Sequence, residues 1–399
     1  MKLYWIPLII FLLINIIIDY FIFSKIKKSE HWPHWISKAH AAVSVLLYAA
    51  LGFVMASRID KVNNDIMVLD MYLLWAFFGL NVAEWISLLI YSLSWLKPLK
   101  TGVKRFIRAA AVASGVFIIF LELWGTFFTP YTVEVKQVTI EFSNLPKEFD
   151  GYRILQFSDL HLGTYGSDTT FVSKCVTLMN SQHPDIMCFT GDLVSRRSSE
   201  AYPFVKTLSR LHAQDGILSI RGNHDDKGYF SWRNAAIQEK DFNNLKTIEE
   251  SMGWNLLYRD HAIVKRGTAQ LVFIGVPFQG RRRSSPYGHV EKSYPNYNDS
   301  TFKILLQHNP SQWKERYQKV AHFDLTLAGH THALQLMFNF LGYSCSPAWL
   351  VCHEWGGLYH DKRNGKDEYL YTNIGLGEVG IPARVGATPE ITVITLKRK

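Results

Sequence analysis

Eight side chains with metal-ligand or acid–base chemistry occur in order through the C-terminal two-thirds of this 399-residue chain. Asp159 and His161 sit in Ser158-Asp159-Leu160-His161-Leu162-Gly163, and Asp192 follows Gly191. Asn223 and His224 share Gly222-Asn223-His224-Asp225. His308 precedes Asn309-Pro310, and Gly329-His330-Thr331-His332 closes the series. Carboxylate, amide and imidazole donors together suit hard or borderline divalent ions such as Mn²⁺, Fe²⁺ or Zn²⁺. The absence of cysteine from the set argues against a structural zinc site. Taken singly each motif is weak, since Gly, Asn and Asp also favour plain turns.

Position strengthens the series. Alternating polar and apolar residues over 133–140 predict a strand. Further strands are predicted at 152–157, 185–190, 216–220, 301–307 and 323–328, with helical segments at 173–181, 202–211 and 244–251. Nearly every candidate ligand falls just past the C-terminal end of one of these strands. In open α/β sheets that edge is where ligands bind. Five short polar motifs landing on five strand ends is the observation that carries weight.

These motifs resemble those of the calcineurin-like metallophosphoesterases, and are most similar to the membrane-bound bacterial branch. The resemblance covers about residues 133–396 and includes the tail Tyr369-Leu370-Tyr371-Thr372-Asn373-Ile374-Gly375-Leu376-Gly377, Pro382-Ala383-Arg384 and Pro389-Glu390-Ile391. It implies an α/β sandwich of two mixed sheets flanked by helices, and two divalent metal ions. Carried over by motif, it puts Asp159, His161 and His332 on one ion and Asn223, His308 and His330 on the other, with Asp192 bridging. A hydroxide held between two such ions could attack phosphorus in line. In this scheme His224 is no ligand and faces the leaving-group oxygen.

Two departures narrow the substrate. Leu193-Val194-Ser195-Arg196 replaces the Asp-Arg-Gly continuation of serine/threonine protein phosphatases, and His224 stands where lipid A-pathway pyrophosphatases often have Arg. The expected reaction is hydrolysis of a phosphomonoester or phosphodiester, with a lipid-linked or envelope phosphate favoured. The alternatives are a nucleotide or sugar-nucleotide pyrophosphatase, and a non-catalytic membrane receptor or transport component with a phosphate-binding domain. Insertions at 226–259 and 278–298 are expected to cap the site. Arg281, Arg282 and Arg283 in the second could grip an anion through bidentate hydrogen bonds, or form a solvated surface run. Residues 334–355 are apolar for a loop; they could rest on a membrane, hold an acyl chain or pack on the protein. Glycines 375 and 377 are expected to let a loop pass close to the metals. Cys345 and Cys352 are close enough in sequence for either a bridge or two free thiols.

The N-terminal third has a different composition. Residues 1–130 hold twelve Lys and Arg against seven acidic residues, and nearly all the long apolar runs. Four stretches, 3–23, 41–56, 67–96 and 107–128, approach the ~20 apolar residues that cross a bilayer. The first lacks a small-residue cleavage site and reads as an uncleaved anchor. A four-span transmembrane region at 1–130 followed by a catalytic domain at 131–399 is therefore expected. The basic residues cluster beside apolar segments, so the charge excess suits membrane topology and no nucleic-acid partner is expected. Lys25, Lys27, Lys28 and Lys38 mark the first loop, and Lys97, Lys100, Lys104, Arg105 and Arg108 the third. The second has only Arg58 and Lys61, offset by Asp60 and Asp65. Loops one and three would remain in the cytoplasm, leaving the catalytic domain extracytoplasmic. Asp19 and Asp70 fall near span ends, and Glu84 near the middle of the third span, where it could pair with a neighbouring helix. No Lys or Arg partners them within the spans, which weighs against transport.

Overall fold

The computed structural model describes residues 5–29, 32–57, 64–226, 229–230, 232–278, 290–296 and 300–399. The chain divides into two compact units, Met1–Trp124 and Gly125–Lys399. The first is built from four helices: α1 (Trp5–Lys27), α2 (His34–Ser57), α3 (Asn64–Ser92) and α4 (Thr101–Phe127). Three helical stretches, His34–Ser57, Asn64–Trp95 and Thr101–Tyr131, are long and apolar enough to cross a membrane, by length and composition and among the described residues. The helices are apolar nearly all round, as lipid-facing segments are. Polar contacts between them are few and specific. Trp85 Nε1 on α3 donates to Asn15 Oδ1 on α1 at 3.0 Å, and Ser57 on α2 donates to Asp70 on α3 at 2.7 Å.

In the second unit the strands are β1 (Glu134–Phe142), β2 (Arg153–Phe157), β3 (Ile186–Phe189), β4 (Ile217–Ser219), β5 (Asn255–Leu256), β6 (Asp260–Arg266), β7 (Ala269–Gly275), β8 (Phe302–Leu306), β9 (Leu325–Ala328), β10 (Phe338–Phe340), β11 (Tyr343–Cys345), β12 (Gly357–Arg363), β13 (Lys366–Thr372) and β14 (Glu390–Arg398). One six-stranded sheet runs β1-β14-β2-β3-β4-β5, and the other β12-β13-β9-β8-β7-β6. Both are mixed. β2, β3, β4 and β5 are mutually parallel, as are β7, β8, β9 and β13, while β14 runs antiparallel to β2 and β6 to β7.

Strand alternation explains the layering. On β2, Ile154 points into the core between the sheets with Ile186, Cys188, Ile304, Leu306, Leu325 and Leu327. Its neighbours Leu155 and Phe157 point the other way, onto Val172, Cys175, Val176 and Met179 of α5 (Thr170–Asn180) and onto Leu245 and Ile248 of the helix Ala235–Ser251. On the outer face of the second sheet, Val272, Ile274 and Leu305 pack under Tyr317 and Phe323. The unit is a sandwich of two mixed sheets flanked by helices.

Several local expectations change. The helix expected at 244–251 starts at Ala235, because Asn234 caps it by accepting from Ile237 N at 2.9 Å. The segment expected as a helix at 202–211 is 3-10 over Ser198–Phe204 and α-helical only over Val205–Leu208. Pro203 lies inside it and cannot supply an amide hydrogen. The apolar stretch after His332 contains the β10–β11 hairpin rather than unstructured loop. No disulfide joins Cys345 and Cys352. Arg281, Arg282 and Arg283 lie outside the described residues.

Candidate metal centre

Parallel strands bring the motifs to one edge. From the first sheet, β2 leads into Asp159 and His161, β3 into Asp192, and β4 into Asn223 and His224. From the second, β8 leads into His308, and β9 into His330 and His332. The connecting loops are bonded to each other: Asp159 N donates to Gly191 O at 2.9 Å, His161 N to Asp192 O at 3.1 Å, and Gly329 N to His308 O at 3.0 Å. Asp159, His161, Asp192, His330 and His332 all have left-handed backbone, with φ of 53, 44, 61, 76 and 50°. Such conformations cost about 1–3 kcal/mol each for a residue with a Cβ and persist only where the surroundings enforce them. At Gly222 a Cβ would collide with the Asp192 carboxylate and the His308 ring. At Gly375, where φ is +80°, a Cβ would stand 2.7 Å from Cβ of Asp159.

The donor atoms converge. His332 Nε2 lies 3.1 Å from Asp159 Oδ1, and His161 Nε2 lies 3.1 Å from His332 Nε2. His308 Nε2 is 3.1 Å from Asp192 Oδ2 and 3.2 Å from His330 Nδ1. His161 Nε2 is 3.7 Å from the same Asp192 oxygen, so that carboxylate faces both groups. The triplets Asp159, His161, His332 and Asp192, His308, His330 each hold their ligand atoms within 4.8 Å. Asn223 is buried, and its Oδ1 has no hydrogen-bond partner while Nδ2 donates to Tyr229 at 3.0 Å. A buried amide oxygen without a donor is costly. Four imidazoles, two carboxylates and that oxygen make a donor set suited to borderline divalent cations, and the residues fit such ions.

Electrostatics keep much of the set in ligand form. Burial disfavours charge on Asp192, yet the imidazoles of His308, His224 and His161 hold its carboxyl well below its usual range. Asp159 is likewise lowered, burial being outweighed by His332 and His308. Burial takes His161 well below its ordinary value, and burial with His308 brings His330 down to about 4. His308 goes the other way: burial is overcome by Asp192 and Asp159, and it is pushed up to about 9. Binding a cation there would release its proton.

His224 stands beside this set. Its backbone N donates to Asp192 Oδ1 at 2.8 Å, and its Nδ1 donates to Ser195 O at 2.7 Å. Its ring stacks on Tyr229 at 3.9 Å and meets His161 edge-on at 4.7 Å. It also comes within ligand range of His161 and Asp192. The Ser195 bond occupies Nδ1 and leaves Nε2 for other chemistry.

Five supporting residues were given no role in the sequence reading. Asp225 is buried and accepts four backbone N–H bonds: from Asp192 (2.7 Å) and Gly222 (3.0 Å) on Oδ2, and from Leu193 (2.9 Å) and Val194 (3.1 Å) on Oδ1. Its place beside His224 in the motif was the available signal. Arg384 is fully buried, with Nη2 3.2 Å from His332 Nδ1 and with bonds to the carbonyls of Ile374, Gly377 and Ala387. Arg196 and Arg197 line a small recess with His224, Asp226, Trp232 and Gln238; three of these wall residues, Asp226, Trp232 and Gln238, come from the first insertion. The Phe278 ring lies 5.9 Å from the His308 ring and 5.8 Å from that of His330.

Comparison with known proteins agrees with this geometry. A calcineurin-like phosphoesterase family model matches residues 152–334, which contain all eight motif residues. The chain is 29% identical over 276 residues to the uncharacterized metallophosphoesterase YkuE of Bacillus subtilis, covering 69% of this chain and 89% of that one. It is 28% identical over 374 residues to a transmembrane protein with metallophosphoesterase domain of Danio rerio, covering 92% and 75%. An uncharacterized metallophosphoesterase of Campylobacter jejuni matches at 24% over 401 residues, 99% and 98% of the two chains. With the family model and these relatives in agreement, residues 152–334 of this chain are a calcineurin-like phosphoesterase domain.

Proposed function

We propose that this chain is a multi-pass membrane phosphoesterase that uses two divalent cations to hydrolyse a phosphomonoester or phosphodiester outside the cytoplasm. The observation that carries the proposal is the convergence of four imidazoles on two ionised carboxylates, with the unpartnered Asn223 oxygen beside them. Asp159, His161 and His332 would hold one cation, Asn223, His308 and His330 the other, and Asp192 both. When bound, the ions supply positive charge to the phosphoryl oxygens and lower the pKa of water.

The chain's own residues do the rest. Asp225 and the left-handed turns fix the positions of the donors. Ser195 O holds Nδ1 of His224, so that Nε2 can deliver a proton to the leaving oxygen. Arg196 and Arg197 provide cationic charge in the recess beside His224, suited to an anionic ester.

A membrane-borne phosphate ester is the substrate class we favour. Residues 333–352 contain no Asp, Glu, Lys or Arg. They present Phe340, Leu341, Tyr343 and Leu350 at 74, 82, 82 and 79% exposure, directly after His332. Exposed aromatic and aliphatic side chains of this kind suit a lipid–water interface.

The test is turnover of bis-p-nitrophenyl phosphate by the Mn²⁺-loaded full chain, with metal content measured in parallel. Asp192→Asn is expected to lower turnover by about 10³-fold or more and to reduce bound metal. A wild-type protein with full metal content and no turnover would favour a phosphate-binding receptor instead.

A further inference from the structure

A second group of side chains with metal-binding chemistry lies in the helical unit. Asp19 on α1, His40 on α2 and Glu84 on α3 each offer one donor atom, and the three atoms lie within 4.8 Å of one another. Since each comes from a different helix, the group is assembled only by folding of the bundle. The three residues also share a depth. Asp19 lies eight residues before the end of α1, His40 six after the start of α2, and Glu84 eight before the end of α3. At ~1.5 Å of rise per residue, each stands about 9–12 Å in from its helix end. By the apolar stretches of the sequence, Asp19 falls near the end of the first span, His40 beside the start of the second and Glu84 within the third.

Hydrogen bonding fixes which form of His40 is present. Ser44 Oγ lies 3.2 Å from the His40 carbonyl oxygen and 3.2 Å from His40 Nδ1. The hydroxyl has one proton, and the carbonyl one turn earlier can only accept it. Ser44 Oγ therefore accepts from Nδ1–H, and the neutral ring carries a bare lone pair on Nε2. Nε2 has neither solvent contact nor a hydrogen-bond partner, in a side chain only 9% exposed. It faces Glu84 Oε1 at 3.9 Å. Tyr48 donates its hydroxyl hydrogen to Asp19 Oδ2 at 2.7 Å, fixing the second carboxylate.

Glu84 hydrogen-bonds Asp19, so an imidazole lone pair and two carboxyl groups face one another with one shared proton between them. Among the described residues no Lys or Arg forms an ion pair with Asp19 or Glu84, and His40 is the charged-type neighbour that Glu84 meets. Carboxyl groups with no basic partner are costly inside an apolar bundle, and such groups are retained where they bind or conduct something. A cation seated between the oxygens and the imidazole lone pair removes that cost. One imidazole with two carboxylates is borderline-metal chemistry, whereas an all-oxygen set would suit calcium or magnesium. Ligand bonds of ~2.0–2.2 Å place donor atoms about 3–4 Å apart around one ion, a spacing that the 3.9 Å His40–Glu84 separation meets. The Ser44 contact on the far nitrogen is the outer support that metal-bound imidazoles normally have. A cavity of about 240 Å³, walled in part by Asp19, His40, Ser44 and Tyr48, gives an ion and its water access to the group.

We infer that Asp19, His40 and Glu84 form a divalent-cation site inside the helical bundle, selective for a zinc-class ion and oriented by Ser44 and Tyr48. The inference stands on unit 1 alone and does not depend on the proposed hydrolysis.

The experiment uses the full chain in detergent, stripped with chelator, equilibrated with Zn²⁺ and dialysed before elemental analysis. Wild-type protein is expected to retain one more Zn²⁺ per chain than either His40→Ala or Glu84→Gln. Both variants are expected to keep wild-type turnover of bis-p-nitrophenyl phosphate with Mn²⁺. Ser44→Ala is expected to weaken the extra site about 10-fold, the loss typical when an outer support is removed. With Co²⁺, the visible band of the bundle site persists in Asp192→Asn and vanishes in Glu84→Gln. Equal Zn²⁺ content in wild type and Glu84→Gln overturns the inference, leaving protons as the neutralising cations. The isosteric Glu84→Gln decides the matter should His40→Ala fail to fold.

Discussion

At the scale of single residues, the candidate centre separates side chains that would bind from one that would move a proton. The hydrogen bond from His224 to Asp192 comes from its backbone N–H, which replacement of the ring leaves in place. Loss of the ring should therefore leave the donor set standing. We predict that His224→Ala retains metal by elemental analysis but hydrolyses bis-p-nitrophenyl phosphate about 10²–10⁴-fold more slowly, the range for loss of a general acid. Loss of metal in the same variant would make His224 a ligand.

A different histidine governs stability. Burial alone would lower His322, but hydrogen bonds to Asp324 at 3.1 Å and Glu368 at 3.0 Å push it up to about 9. A folded pKa above the unfolded value of ~6.5 means that its contribution is complete below pH 6.5 and lost as pH rises through about 9. The melting temperature of wild type should fall over that window, and His322→Gln should flatten the fall. An unchanged slope in the variant would place the effect elsewhere.

The donor residues were legible in the sequence because metal ligation restricts residue type severely and strand ends fix location. The supports were not. Arg384 is silent in one dimension, because its partners are the carbonyls of Ile374, Gly377 and Ala387 and the ring of His332, fifty-two residues away. Asp225 was in view but resembled a turn residue, as any Asp after Gly-Asn would.

At the scale of elements, hydrophobic alternation located the strands that carry the centre, with ends shifted by at most two residues. The β6–β7 hairpin went unassigned although its alternation and Gly267 turn were present; it carries no motif residue to draw notice. Helix 202–211 failed for a local reason, Pro203. The β10–β11 hairpin shows the limit of hydropathy, which registers Phe340 and Leu341 as apolar without saying that they face outward. If that hairpin sits in a lipid interface, Leu341→Asp should slow hydrolysis of a phosphate ester embedded in vesicles while leaving the soluble ester unaffected. Equal effects on both substrates would make the hairpin an ordinary part of the fold.

At the scale of the molecule, composition marked two territories, and the clustering of Lys and Arg in loops one and three suggests their orientation. Fusions at Lys399 check it: alkaline phosphatase should be active there and green fluorescent protein dark. The opposite pair of results would move the catalytic unit into the cytoplasm.

The donors of the candidate centre rise from both sheets, Asp159, Asp192 and Asn223 from one and His308, His330 and His332 from the other. In a chain loaded as proposed, the ions act as a clasp between the two halves of the sandwich. Its slackening would loosen the seam and misalign His224 in the same event, so mechanical stiffness and catalytic competence would rise and fall together with the metal concentration around the cell.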